Sequence, residues 1–196
     1  PCDFSLIRSK FNLLPSEVDI AIIATNSSIR ASVVNDMYKY CTPKNLILEK
    51  FLFDKIEDYD DINDLIELKK TFAWTNQWIS SSYPFKRISD WFDDKIIEMH
   101  VYGEEWGLAC NSIHFIDFFD YMNNYQDLSI VKSNLDSEAL PSKREGYFEF
   151  TGDIRIGSSS GASIFLESRR GSTGGAIKMR IENKEKVCNI ILFNDT

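Results

Sequence analysis

Val18-Asp19-Ile20-Ala21-Ile22-Ile23-Ala24-Thr25-Asn26 decides the fold class. The run is apolar, rich in β-branched residues, and ends in small polar ones. A strand buried on both faces of a parallel sheet has this composition. Ser27 or Ser28 then caps a helix that runs through Ser32 to Tyr38. Asn45-Leu46-Ile47-Leu48-Glu49-Lys50 is a second short strand ending in a charged pair. Asp61 to Lys70 reads as a helix, and Thr71 to Asn76 as a third strand. Strand, helix, strand, helix, strand in this order predicts a parallel α/β sheet with right-handed crossovers. Ligands in such sheets bind at the carboxyl ends of the strands. Those ends carry Thr25-Asn26, Glu49-Lys50 and Asn76-Gln77.

Beyond Asn76 the pattern changes. Ser80-Ser81-Ser82-Tyr83-Pro84 interrupts the chain, and Phe85 to Phe92 has the spacing of an amphipathic helix. A boundary near 79–95 follows, dividing the chain into 1–90 and 91–196. Lys95 to Tyr102 alternates apolar and polar, as do Tyr147 to Ile156, Ser163 to Ser168 and Ile177 to Glu182. Val187 to Leu192 is also strand-like. Consecutive strands with short connections predict an antiparallel sheet. Ser158 to Gly161 and Gly171 to Gly175 lie between these runs and read as hairpin turns. The fold class is therefore α/β: part of a parallel sheet, then an α+β domain with an open, mainly antiparallel sheet.

One of the two histidines lies in Gly107-Leu-Ala-Cys-Asn-Ser-Ile-His-Phe-Ile-Asp117. The residues after it, up to Met122, are apolar almost all round, which predicts a buried helix. On that helix Asn111, His114 and Asp117 fall at i, i+3 and i+6, near one face. Two readings stand. His114 is a core histidine satisfied by Asp117, or it transfers protons near neutral pH.

Taken together, Ala24-Thr25-Asn26, Glu49-Lys50-Phe51 and the segment from Gly107 through His114 to Asp117 resemble the Gfo/Idh/MocA family of oxidoreductases. The resemblance runs from about Val18 to at least Gly152. It implies the C-terminal half of a Rossmann domain, then a domain with a large open sheet. The implied activity is NAD- or NADP-dependent hydride exchange with a sugar or sugar derivative, such as an anionic or nucleotide-linked sugar of surface polysaccharide synthesis. Lys50 and His114 would be catalytic, Lys50 near nicotinamide and substrate, His114 as proton donor or acceptor. Thr25, Asn26, Glu49 and Lys50 would face the cofactor. Asn76, Asn111 and Asp117 would belong to the substrate side, Asn111 and Asp117 positioning His114 or the substrate. Family members bury the open sheet in dimers or tetramers. Phe148, Phe150, Ile154, Ile156, Phe165, Ile177 and Met179 supply the nonpolar area expected for such a contact.

The chain departs from the family pattern in three places. The family proline after Lys50 is Phe51, so loss of any cis bend is expected there. Cys110 stands where the family has an aspartate four residues before the histidine. No Gly-x-Gly-x-x-Gly fingerprint follows a first strand. The reading opens at Pro1 without a methionine and ends just after a strand-like run, so an internal piece of a longer protein is expected. These departures favour the alternative, a non-catalytic ligand-binding or assembly domain.

Composition limits the partners. Hydrophobic residues make up 43% and aromatics 13%, enough for a core. A net charge of −8 argues against a nucleic-acid surface. No apolar run approaches the ~20 residues that span a bilayer. Four cysteines without a Cys-x-x-Cys pair speak against zinc and for reduced thiols in the cytoplasm. Cys110 and His114 are four apart, which allows contact on a helix. Cysteine catalysis is set aside because no oxyanion hole or supporting base can be named. The acidic run Asp54 to Asp64 lacks the glycine and ligand spacing of a calcium loop. It reads as a solvated loop and helix N-terminus.

Overall fold

A computed structural model describes residues 11–92, 97–142, 145–171 and 175–192. The chain divides into two compact units, Pro1–Gln77 and Trp78–Thr196. The division falls ahead of the 79–95 expected. The helices that follow Gln77 send Ile79, Phe85 and Phe92 into the core of the second unit, so they belong to it.

The first unit runs β1 (Glu17–Ile23), α1 (Ser27–Tyr38), β2 (Thr42–Glu49), α2 (Ile56–Lys69) and β3 (Phe72–Asn76). β2 pairs in parallel with β1 on one side and β3 on the other. This is the parallel order read from Val18 to Asn76. Asn26, not Ser27 or Ser28, takes the N-cap position of α1, because the helical backbone already begins at Ser27. α2 starts at Ile56, ahead of the expected Asp61. Glu57 and Asp58 fall in its first turn, where the helix dipole favours negative charge. Its chain leaves through Lys70 in the left-handed region, φ 54°. The Thr71 hydroxyl then donates to the Pro43 carbonyl at 2.9 Å and holds the start of β3 against β2.

Ile23, Leu46 and Leu48 face α1 and α2, where Val34, Met37, Tyr38 and Ile62 are buried with them. Burial on both faces was expected. Among the described residues only this face is covered, because both helices lie on the same side. Ile20, Ile22, Phe72 and Trp74 stand on the other face, 58%, 68%, 69% and 52% exposed.

The second unit begins with α3 (Trp78–Ser81) and α4 (Tyr83–Trp91). β4 (Glu98–Glu104) and α5 (Leu108–Met122) follow. The rest is strand: β5 (Leu128–Leu135), β6 (Leu140–Pro141), β7 (Phe148–Glu149), β8 (Gly152–Ser158), β9 (Ser163–Arg169), β10 (Ile177–Glu182) and β11 (Val187–Leu192). Six of these strands form one sheet in the order β11-β10-β4-β9-β8-β5. All neighbours are antiparallel except β4 and β9. Residues 95 and 96 of the expected strand lie outside the described residues.

Two details of this sheet differ from the sequence reading. Tyr147 to Ile156 is not one strand, because Gly152 sits at φ +118° and turns the chain between β7 and β8. The hairpin expected over Gly171 to Gly175 falls largely outside the described residues at 172–174; the strands before and after it, β9 and β10, do not pair with each other but flank β4 on opposite sides. Ser158 to Gly161 does make the hairpin between β8 and β9, with Gly161 at φ +91°.

α5 lays Phe115, Phe118 and Phe119 on Met99, Val101, Ile164, Leu166, Met179 and Ile181. Full burial of one such phenylalanine contributes about 1.5–3 kcal/mol. Ile156, Ile177 and Met179, expected on the free face, point into this core instead, 6%, 6% and 1% exposed. They alternate with the outward residues, and α5 covers their side. The open face carries His100, Tyr102 and Phe165, whose rings lie 4.6 and 4.9 Å from one another through His100. Glu167 accepts there from Arg169 at 2.5 Å and pairs with His100 at 3.1 Å.

Candidate active site

The carboxyl edge of the small sheet is organised by a residue absent from the sequence reading. Arg30, 2% exposed, enters from the first turns of α1. Its guanidinium donates to the carbonyls of Glu49 at 2.6 Å and Leu52 at 2.8 Å, and to those of Thr25 and Phe51. One buried cation thus fixes the turns that leave β1 and β2. Burial lowers the Arg30 pKa, while the charges of Glu49 and Asp54 oppose the shift. A fork of five donors suits this task, and an ammonium does not replace it. The signal was faint, since a lone arginine in a helix ordinarily reads as solvated.

This edge brings together several of the residues selected from sequence. Thr25 and Glu49 share Arg30 through their backbone. Asn76 donates to Glu49 Oε1 at 2.5 Å, joining the ends of β2 and β3. Asn26 opens α1. Thr25 Oγ1 is buried without a hydrogen-bond partner, so the edge retains polar capacity. Lys50 follows directly on β2, its Nζ 5.9 Å from the centroid of the Phe51 ring. The Lys50–Phe51 peptide bond is cis, against the expectation drawn from Phe51. The carbonyls of Glu49, Phe51 and Leu52 around it all turn to Arg30, an anchor that does not depend on a proline.

The second constellation lies within the second unit. Gly107, at φ +82°, is the N-cap of α5, and a Cβ there would meet Asn111 Nδ2 at 2.9 Å. The Glu149 carboxylate accepts from the Ala109 N–H at 2.9 Å and satisfies one free donor of the first turn. His114 is 7% exposed on this helix. The Trp78 ring meets it at 5.9 Å and 65°. One turn further along, Asp117 accepts a hydrogen bond from the Ser80 hydroxyl. α3 therefore touches α5 at two points, Trp78 at His114 and Ser80 at Asp117. Burial pushes the Asp117 carboxyl up. The Ser80 bond opposes this, and the nearby Asp120 adds to it.

Asn111 Nδ2 donates to the Trp106 carbonyl at 2.8 Å and ties down the entry to α5. Cys110 is exposed. Trp78 and Ser80 were not singled out from sequence, because Ser80 to Pro84 read as a chain break and nothing local marks Trp78. An open hollow of about 400 Å³ lies at Tyr102, Glu104, Arg169 and Lys178, and none of the selected residues lines it. Among the described residues, no three His, Cys, Asp or Glu side chains are grouped to hold a metal ion. No described helix is long and apolar enough to cross a membrane.

No family model matches the sequence, and no curated protein does. Solved structures share the fold. GenD2 from gentamicin A biosynthesis, in complex with NAD, superposes with a TM-score of 0.70 at 12% identity, over 89% of this chain and 54% of that one. The dehydrogenase MviM from Clostridium difficile gives 0.65 at 14%, over 88% and 57%. UDP-N-acetylglucosamine 3-dehydrogenase GnnA from Acidithiobacillus ferrooxidans gives 0.64 at 13%, over 89% and 56%. The chain thus spans a little over half the length of these structures. Its fold is that of the Gfo/Idh/MocA-type dehydrogenases, a small parallel sheet with helices followed by an open, mainly antiparallel sheet. Identities this low carry the fold alone.

Proposed function

We propose that this protein is an NAD- or NADP-dependent oxidoreductase acting on a hydroxyl or ketone carbon of a sugar or sugar derivative. The observation that carries the reading is His114. It is a nearly buried histidine with a carboxylate one turn along the same helix, in a fold that a solved NAD complex shares. The strand ends of the first unit suit the nicotinamide and ribose portion of a dinucleotide. Glu49 and the orphan Thr25 hydroxyl would meet ribose hydroxyls, with Asn26 and Asn76 beside them. The bound nicotinamide supplies the acceptor or donor of the hydride.

The protein's own residues do the rest. Lys50, beside these strand ends, offers an ammonium that would stabilise negative charge on a bound ligand. His114 takes the proton from the substrate hydroxyl on oxidation and returns it on reduction. Burial holds water away from the imidazole. Asp117, held by Ser80, accepts a neighbouring hydroxyl of the substrate. Self-association through the open sheet is a second element of this proposal. The half-buried ring cluster of His100, Tyr102 and Phe165 on the open face, with its flanking charges, supports it.

Cys110 favours one other reading, a domain that binds the same ligands without turning them over. The two separate in one assay. The full-length protein is mixed with NAD or NADP and a panel of free and UDP-linked sugars, and nicotinamide reduction is followed by absorbance. Turnover on one panel member is expected. Binding by calorimetry without any turnover would favour the non-catalytic domain.

A further inference from the structure

Trp78 is a large aromatic that the fold leaves 47% exposed although it borders a core. It is held in place rather than loose. Phe85, 6% exposed, meets its ring at 6.0 Å and 85°, and His114 meets it at 5.9 Å and 65°. Two close ring neighbours therefore fix the indole while nearly half its surface stays open to solvent. Within the same short helix, Ser80 holds the Asp117 carboxylate. A carboxylate accepts at two oxygens with about four lone-pair sites, so one serine bond leaves most of that capacity for a ligand.

A fixed aromatic surface beside a carboxylate and an imidazole has a specific complement. A pyranose or cyclitol ring offers a face of C–H bonds, weakly positive, and a rim of hydroxyl donors. The aromatic face is negative and attracts the C–H face, while the carboxylate accepts from the rim. A flat apolar ligand would leave Asp117 unpaired, and a purely anionic one would meet Asp117 with like charge.

We propose that Trp78 is the stacking platform for the sugar ring, with Asp117 accepting a hydroxyl of that ring and His114 facing the reacting one. Trp78 is then a specificity residue, not a catalytic one. The proposal rests on the reading of His114 as the reacting group, and it deepens that reading by naming how the substrate ring is recognised.

The test is the affinity of the full-length protein for three probes: N-acetylglucosamine, UDP-N-acetylglucosamine and myo-inositol. Calorimetry compares the wild type with Trp78→Leu, which keeps an apolar side chain against Phe85, and with Trp78→Phe, which keeps an aromatic face. At least one probe binds, Trp78→Leu weakens it about five- to tenfold, and Trp78→Phe stays within about twofold. If Trp78→Leu does not fold, the indole N–H resonance of Trp78, assigned by its loss in Trp78→Phe, must move when the probe is added. Unchanged affinity in Trp78→Leu, an unmoved resonance, or no binding of any probe overturns the inference. Its failure is distinct from that of the catalytic reading. Turnover that depends on His114 with unchanged affinity in Trp78→Leu removes the platform alone. Trp78-dependent binding with no turnover removes the catalysis alone.

Discussion

The guanidinium of Arg30 donates to the Glu49 carbonyl at 2.6 Å across nineteen residues of chain. The same group reaches the carbonyls of Thr25, Phe51 and Leu52. The strand ends that carry Thr25, Asn26, Glu49 and Lys50 are thus shaped by a cation buried behind them. The polar edge of the sheet is built from inside.

Arg30→Met should therefore be severe. It leaves four carbonyls without their donor, each costing about 1–3 kcal/mol when buried and unpaired. A loss of about 3–5 kcal/mol is expected once the site relaxes, read by urea unfolding. Arg30→Lys should recover only part of it, because one ammonium cannot span the same carbonyls. A variant within 1 kcal/mol of wild type, by the ~1 kcal/mol measure of a single hydrogen bond, would deny Arg30 this role.

Gly152 cannot carry a side chain without moving the sheet. It sits at φ +118°, and a Cβ there would lie 2.2 Å from the Asn134 carbonyl oxygen and 2.8 Å from the Leu135 Cα. Both belong to the paired strand β5. Gly152→Ala should cost about 2–4 kcal/mol. A melting temperature equal to wild type would mean that β5 and β8 are not paired in this register.

Glu167 should make stability fall in acid. Burial alone would raise its pKa, but the hydrogen bonds from Arg169 and His100 outweigh this and lower it below the ordinary 4.5. A depressed carboxyl stabilises the fold above its unfolded pKa. That contribution is lost as pH falls through the folded value. Glu167→Gln should thus narrow the gap between stability at neutral pH and at acid pH, measured by denaturation at each pH. An unchanged profile would place Glu167 outside the ion pair.

Asp117 should show the opposite sign. Burial raises its pKa, so the folded state holds the proton more tightly than the unfolded chain. Its charge costs stability as pH rises above the ordinary value of 3.8. Asp117→Asn should remove that cost and flatten the profile between acid and neutral pH. A variant that loses stability only at neutral pH would contradict the assignment.

Much of the first unit was legible because its strands obey simple rules. Val18 to Ile23 is an apolar run, and Asn45 to Glu49 and Phe72 to Asn76 follow helices of the right spacing. The polar residues at their ends were legible for the same reason. Arg30 was not, since nothing local distinguishes an arginine that turns inward from one in solvent. The second unit was harder. Alternation continues straight through Gly152 from Tyr147 to Ile156, and only a backbone angle open to glycine breaks it. β5 is exposed along nearly its whole length, so Leu128 to Leu135 shows no buried stripe. His114 and Asp117 were found from their helical spacing. Their partners Trp78 and Ser80 come from another helix, a relation that spacing does not encode.

On the proposed function, His114 moves the proton of the reacting hydroxyl. The direct measurement is kcat of His114→Ala in the full-length protein on the sugar that the wild type turns over, with nicotinamide absorbance as the readout. A fall of about 10²–10⁴-fold is expected, the usual worth of a positioned acid or base, with dinucleotide affinity largely retained. Turnover near that of the wild type would make His114 a core histidine and not the acid or base.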